Sequence, residues 1–338
     1  MSSDIFTIKQ GEDIDAEVEA LFQYWRERGF PNYDKSEYNH EKILSDLIKF
    51  NESSLLKGNE IDQAMLGCGF LWTYFPHWIN VTYNGGTESV ASCWNNDDKL
   101  RALIRKTYKW QQKYGNGIFT INRLRQNAKV YCSKQSVSNF RPTVAKLIYN
   151  LYGNRGNVWD MSGGYGGRLL GFLSSECQSY IATDPCTETV EGLNRLYLDY
   201  SNITDKSVTV IKSGSEEYIP TPNSLDLCFT SPPYFNTEMY STEDTQSYKK
   251  FDSKDTWING FLKRTMENCW IGLKPNRYMI INIANVSSYP ALESDTVDKA
   301  LKVGFTLVDT KYMVLSSIAG KGKKTEPIFI FQKVVDKQ

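Results

Sequence analysis

The sequence is poor in the residues that build metal centres and acid–base triads. Among 338 residues there are two histidines, His40 and His77. That supply leaves a multi-histidine metal site and a histidine-based triad little to draw on. Seven cysteines are present but no CxxC pair. An odd, scattered set fits reduced thiols better than a disulfide framework or a zinc site, so no metal is expected. No apolar run approaches the roughly 18 residues of a membrane-spanning helix. No signal-peptide pattern opens the chain, and a cytoplasmic protein with no membrane partner is expected. Net charge is lacking too, since 39 Lys+Arg balance 39 Asp+Glu. What is present, 41% hydrophobic and 23% charged residues, describes an ordinary globular chain with room for one large domain or two unequal ones.

The zero balance hides a local imbalance. Residues 1–20 hold Asp4, Glu12, Asp13, Asp15, Glu17 and Glu19 against Lys9. Between residues 101 and 134 there is no Asp or Glu. Arg101, Arg105, Lys106, Lys109, Lys113, Arg123, Arg125, Lys129 and Lys134 stand there among Tyr108, Trp110, Tyr114, Phe119 and Tyr131. Such a stretch suits a phosphate backbone and stacked bases, or else a solvated helix face beside an acidic neighbour.

Residues 1–135 read as a mainly helical and irregular region. Val18, Leu21, Phe22 and Trp25 keep helical spacing, as do Ile43, Leu44, Leu47 and Ile48, and Asp97–Tyr114 is a third candidate. From 136 to 338 the pattern changes. Short apolar runs at 157–161, 179–183, 207–211, 225–230, 278–283, 305–312 and 327–334 predict strands, with helices near 167–175, 187–200, 255–270 and 296–303. Strands alternating with helices predict a Rossmann-like α/β domain with a seven-stranded, mostly parallel sheet. The last two strands have only a Gly/Lys-rich connection at 316–324, which predicts an antiparallel C-terminal hairpin.

Two constellations carry chemistry. Val158-Trp159-Asp160-Met161-Ser162-Gly163-Gly164-Tyr165-Gly166-Gly167 is a strand followed by a glycine-rich turn into a helix, which lets backbone N–H groups approach a ligand. One β-α unit later the next strand ends in Asp184, where a carboxylate can accept from two ribose hydroxyls. The loop lacks the GK[ST] ending of a phosphate-binding loop, which favours a nucleoside without a triphosphate. The second constellation is a buried strand running into Ser231-Pro232-Pro233-Tyr234-Phe235. Two prolines make a stiff, extended turn with free carbonyls. The Ser231 hydroxyl and the Pro232 carbonyl can both accept from one –NH₂ group, and Tyr234 offers a face for an extruded base.

These residues resemble the amino-methyltransferases of DNA, which modify cytosine N4 or adenine N6. Ser231-Pro232-Pro233-Tyr234 is similar to their [D/N/S]-P-P-[Y/F/W] motif, and Asp160 to Gly167 to their D-P-F-x-G-x-G loop. Phe140-Arg141-Pro142-Thr143 resembles the segment that closes over the methionine end of the cofactor, which makes the motif order the one called gamma. The resemblance covers roughly residues 138–335. It implies S-adenosylmethionine as cofactor, held by Phe140, Pro142, Thr143, Asp160, Ser162, Gly163, Gly164, Gly166, Asp184, Pro185 and Ser215. It further implies Ser231, Pro232, Pro233 and Tyr234 as the catalytic set. Ser before Pro-Pro leans to cytosine N4, with adenine N6 as the alternative. Met161-Ser162 depart from the usual Pro-Phe, so the cofactor contact of that Phe must come from Tyr165 or Phe140. With no recognition domain after the catalytic half, target reading falls to residues 1–135. Arg105, Lys109, Lys113, Arg123, Arg125 and Lys129, together with Phe235 beside the motif, are the expected contacts to double-stranded DNA. A cognate restriction enzyme would be a further partner of a bacterial, archaeal or phage-encoded chain. The rival expectations are an amino-methyltransferase of RNA or of a protein glutamine, and a non-catalytic nucleic-acid-binding protein that keeps the fold.

Overall fold

The computed structural model describes residues 5–7, 13–115, 117–132, 137–318 and 322–335. Asp4, Lys9, Glu12 and Lys134 therefore lie outside the described residues. The chain forms two compact units. The first comprises Met1–Glu37, Pro76–Ser138 and Glu238–Ser241, and the second Tyr38–Phe75, Asn139–Thr237 and Thr242–Gln338. A single cut after 135 is not how the chain divides, because Tyr38–Phe75 joins the second unit.

The second unit is built on one sheet whose centre is β1 (Asn157–Asp160), β2 (Ser179–Asp184), β3 (Ser207–Lys212), β4 (Leu225–Thr230), β5 (Leu273–Asn282), β6 (Thr306–Ile318) and β7 (Gly322–Gln332). In space they run β6-β7-β5-β4-β1-β2-β3. Pairing is parallel from β3 through β5 and antiparallel where β7 meets β5 and β6. The order reverses direction between β1 and β4, which is the switch point where such sheets bind ligands beyond the strands' carboxyl ends. Two short strands, Leu56–Lys57 and Glu60–Ile61, extend the sheet beyond β6, so among the described residues it has nine strands and not seven. Strand β4 is buried along its whole length, as its unbroken Leu-Asp-Leu-Cys-Phe-Thr run requires of a strand covered on both faces.

Helices α1 (Pro142–Tyr152), α2 (Gly167–Ser174), α3 (Thr187–Tyr200), α4 (Arg264–Gly272) and α5 (Leu292–Val303) accompany the strands. Pro142 opens α1 at its first turn, where the missing N–H costs nothing. A π-helical segment, Ile258–Lys263, runs into α4. The Gly/Lys-rich stretch at 316–324 is mostly strand, with 319–321 outside the described residues.

In the first unit, helices Ile14–Arg28, Asp97–Tyr114 and Ile121–Tyr131 dominate, with a two-stranded ribbon of Ile5–Thr7 and Ile118–Thr120. Val18, Leu21, Phe22 and Trp25 are all buried, as their spacing predicts. Cys93 and Cys132 are bonded to each other, with Cα atoms 5.3 Å apart. That corrects the expectation of thiols throughout; the other five cysteines are free and buried.

Candidate functional site

The glycine turn leaves β1 and folds back on its neighbours. Gly163 N–H donates to the Thr183 carbonyl at 2.9 Å and Gly164 N–H to Asp184 Oδ2 at 3.0 Å. Gly166 has φ of +75°, and a Cβ there would come within 2.7 Å of Leu196. This glycine is required by both backbone and packing. Asp160, at the end of β1, is fully engaged: Arg168 Nε and the Tyr180 hydroxyl donate to Oδ2 at 2.8 and 2.6 Å, and Ser162 N–H and the Thr230 hydroxyl to Oδ1 at 3.3 and 3.1 Å. Its carboxylate and the Arg168 guanidinium are buried together. Asp160 is thus a clamp within the loop and not an open acceptor, and Ser162 serves that clamp.

Asp184 is different. It accepts one N–H on each oxygen, from Gly164 and from Cys186 at 3.0 Å each, which leaves each oxygen room for a further donor. Burial pushes its carboxyl up to about 6, against those two hydrogen bonds. At the end of the adjacent β3, Glu216 Oε2 is buried without a hydrogen-bond partner among the described residues. Motif spacing does not single this residue out. Ser215 is committed elsewhere, 2.7 Å from the Thr265 hydroxyl in α4.

A strap at residues 242–250 crosses this edge. Thr187 N–H and hydroxyl both donate to Glu243 at 2.8 Å, the Thr245 hydroxyl donates to the Pro185 carbonyl at 3.0 Å, and Lys250 reaches Glu216 and Glu217. Nothing in its polar, charge-balanced composition marks it from sequence.

Of the segment before α1, Phe140 sits edge-on to Phe229, 5.4 Å between ring centres. Pro142 and Thr143 are buried, and the Thr143 hydroxyl donates to the Ala64 carbonyl at 3.1 Å. Thr143 is therefore a tie between segments. Asn139, unremarked in the sequence, holds the turn from outside, donating to the Tyr165 carbonyl at 2.6 Å and accepting from Gly167 N–H at 3.2 Å.

The proline corner follows β4 directly. Val158 and Trp159 of β1 pair with Leu227 and Cys228 of β4, so Thr230 and Asp160 end side by side. Ser231, Pro233 and Tyr234 are half-buried and Pro232 buried. Phe235 has φ of +55° and packs on Trp257 and Tyr289 in the core. It is a structural residue and not a DNA contact.

In the first unit the basic stretch splits in two. Arg101 pairs with Glu19 at 2.8 Å and Arg105 with Asp15, an acidic helix neutralising a basic one. Arg125 is buried, donating from Nε to the Pro31 carbonyl at 2.6 Å and from Nη1 to Asn122 at 3.1 Å, so it is removed from the expected DNA contacts. Tyr108 and Phe119 are core residues. Lys106, Lys109 and Lys113 remain exposed along one face of Asp97–Tyr114. Arg123 lies 3.3 Å over the Trp110 ring, and Lys129 4.4 Å from the Trp78 ring.

Among the described residues no group of His, Cys, Asp or Glu is arranged to hold a metal ion, and no helix is long and apolar enough to cross a membrane.

No protein-family model and no curated protein matches the chain. Solved structures resemble part of it. The [4+2]-cyclase SpnF is 10% identical over 58% of this chain and 82% of its own, with a TM-score of 0.42. A 1,6-didemethyltoxoflavin-N1-methyltransferase of Burkholderia thailandensis, bound to S-adenosylhomocysteine, is 12% identical over 57% and 78%, with a TM-score of 0.39. A SAM-dependent O-methyltransferase of Thermotoga maritima is 12% identical over 58% and 64%, with a TM-score of 0.35. At these values the likeness adds nothing to what the strand order establishes, a Rossmann-like α/β unit.

Proposed function

We propose that the chain is an S-adenosylmethionine-dependent methyltransferase acting on the exocyclic amino group of a base in DNA, cytosine N4 ahead of adenine N6. The hydrogen bond between Asp160 and Thr230 carries this conclusion. It joins the strand feeding the glycine turn to the strand feeding the proline corner, one strand spacing or about 4.8 Å apart. Two loops that must share a transferring carbon start from neighbouring positions.

The residues at the turn suit the cofactor. Asp184 keeps an acceptor site on each oxygen for ribose hydroxyls, and the orphaned Glu216 Oε2 can accept from an adenine amine. Bound there, S-adenosylmethionine supplies an electrophilic methyl group on a sulfonium. An aromatic amine is a poor nucleophile because its lone pair is delocalised into the ring. Accepting both amine hydrogens at Ser231 Oγ and the Pro232 carbonyl draws the nitrogen toward sp³ geometry and frees that pair. The two prolines hold these acceptors in place beforehand, so the rate gain comes from positioning and electrostatics. Extruding the base costs a few kcal/mol, partly offset by stacking on Tyr234. The exposed Lys106, Lys109 and Lys113 support double-stranded DNA as the partner.

Incubation with tritiated cofactor and unmethylated DNA, followed by digestion to nucleosides and mass identification, tests this. Label in N4-methylcytosine is expected. Label in N6-methyladenine would move the target, and label only in RNA or protein would overturn the DNA assignment.

A further inference from the structure

In the first unit, the part of the basic stretch that no carboxylate neutralises carries a line of rings, each with a cation at its face. On helix Asp97–Tyr114, residues 106, 109, 110, 113 and 114 share one face, since they recur at three- and four-residue steps. Lys106 Nζ stands 4.5 Å from the centre of the Tyr131 ring, the Arg123 guanidinium 3.3 Å over Trp110, and Lys113 Nζ 4.9 Å from Tyr114. Arg123 and Tyr131 come from the adjoining helix, Ile121–Tyr131. The Trp110 and Tyr114 rings are 5.6 Å apart. Tyr114 is 63% exposed and Tyr131 46%, although both are large enough to fill a core. Arg101 and Arg105 are taken by Glu19 and Asp15, and Arg125 by loop carbonyls. Among the described residues, Lys106, Lys109, Lys113 and Arg123 have no acidic partner.

We propose that this stripe binds single-stranded nucleic acid, with bases stacked on Trp110, Tyr114 and Tyr131 and phosphates held by Lys106, Lys109, Lys113 and Arg123. The rings decide between a single strand and a duplex. A duplex keeps its base faces stacked inside and presents phosphates and base edges, so exposed rings find nothing on it to stack against. An unpaired strand offers base faces and phosphates together. Cation–ring pairs are weak at a surface, so a base can take the ring face while the cation turns to a phosphate. From Lys106 to Tyr114 the stripe runs about 12 Å along the helix axis, which suits roughly three stacked nucleotides. Every base has a face, so the stripe reads no sequence. This goes beyond the methyl-transfer reading, in which the same lysines meet a duplex, and it needs no cofactor.

Fluorescence anisotropy with the full chain tests this, using labelled oligothymidylate, oligouridylate of the same length and a DNA duplex, with no cofactor present. Tyr114→Ala and Tyr131→Ala, both at exposed rings, should each weaken single-strand binding on the order of tenfold. Neither should change duplex affinity by more than about twofold or alter the salt slope, because a ring neutralises no phosphate. Melting temperatures should match the wild type, and Tyr114→Phe, which keeps the stacking face, should bind as the wild type does. Lys109→Glu should instead weaken binding to all three probes and lower the salt slope by about 1. Single strands that do not bind, ring deletions that leave single-strand affinity unchanged, or equal losses on single strand and duplex would each overturn the proposal. Tighter binding of oligouridylate than of oligothymidylate would uphold the stripe and name RNA as its ligand. A chain that binds single strands but methylates nothing keeps this inference and loses the proposed function; one that methylates DNA but ignores single strands does the reverse.

Discussion

The Thr230 hydroxyl donates to the Asp160 carboxylate at 3.1 Å, inside the core, between two strands 70 residues apart in sequence. Thr230 is the last residue before the proline corner and Asp160 the last before the glycine turn. The same carboxylate carries Arg168 and Tyr180, so one buried ion fixes both loops.

Thr230→Val keeps shape and removes the hydroxyl. It should lower stability by about 1 kcal/mol, read from urea unfolding, and reduce turnover more than cofactor affinity. Asp160→Asn leaves Arg168 buried without its counter-charge and should cost about 3–5 kcal/mol. Equal midpoints for the two variants would contradict the clamp.

Asp184 should make cofactor binding pH-dependent. Its carboxyl is raised to about 6 by burial, and only the ionised form can accept from two hydroxyls. As pH falls through about 6 the acid form accumulates and must release its proton to bind. Affinity for S-adenosylmethionine should then drop up to tenfold per further pH unit. Calorimetry across pH 5–8 should show this fall with proton release near pH 6, and Asp184→Asn should bind weakly with a flat profile. A wild-type affinity that does not change over that range would remove Asp184 from the site.

Ser231→Ala deletes one of the two amine acceptors. Turnover should fall about 10²–10³-fold while the Kd for S-adenosylmethionine stays within twofold or so. A parallel loss of cofactor affinity would mean that the corner shapes the cofactor site and not the amine site.

The exposed lysines and the buried arginine should separate cleanly. Lys109→Glu with Lys113→Glu should weaken DNA binding and reduce the salt slope by about 2, since each phosphate left unneutralised takes roughly 0.9 from it. The melting temperature should not change. Arg125→Met should lower the melting temperature, because it strands loop carbonyls that the guanidinium now satisfies. If the lysine variant binds DNA normally, the DNA surface lies elsewhere.

Much of this fold was legible because strands and helices carry different periods. Leu225–Thr230 and Thr187–Tyr200 stand where their patterns predict them. β5 begins at Leu273, five residues early by pattern, since Lys274-Pro275-Asn276 reads as a turn and its pairing with β4 shifts register between Leu273 and Tyr278. The two-residue strands at 56–61 are too short to show any alternation. Site residues were harder. A motif gives order along the chain but not burial, so Arg125 and Phe235 looked available when both are packed inside. Thr143 and Ser215 looked like ligands but are tied to protein atoms. The Cys93–Cys132 pair belongs to no local pattern, because tertiary folding alone brings such partners together.

The short ribbon beyond β6 has a consequence for how molecules of this chain meet one another. Its Asn59 carbonyl takes the Tyr312 N–H at 2.7 Å, so a backbone donor that could recruit a foreign strand is already occupied. At the far margin, β3 has one neighbour among the described residues, β2, and its exposed positions Ser207, Thr209 and Lys212 are polar. One border is sealed by the chain's own fold and the other defended by polar side chains, an arrangement that discourages edge-to-edge polymerisation.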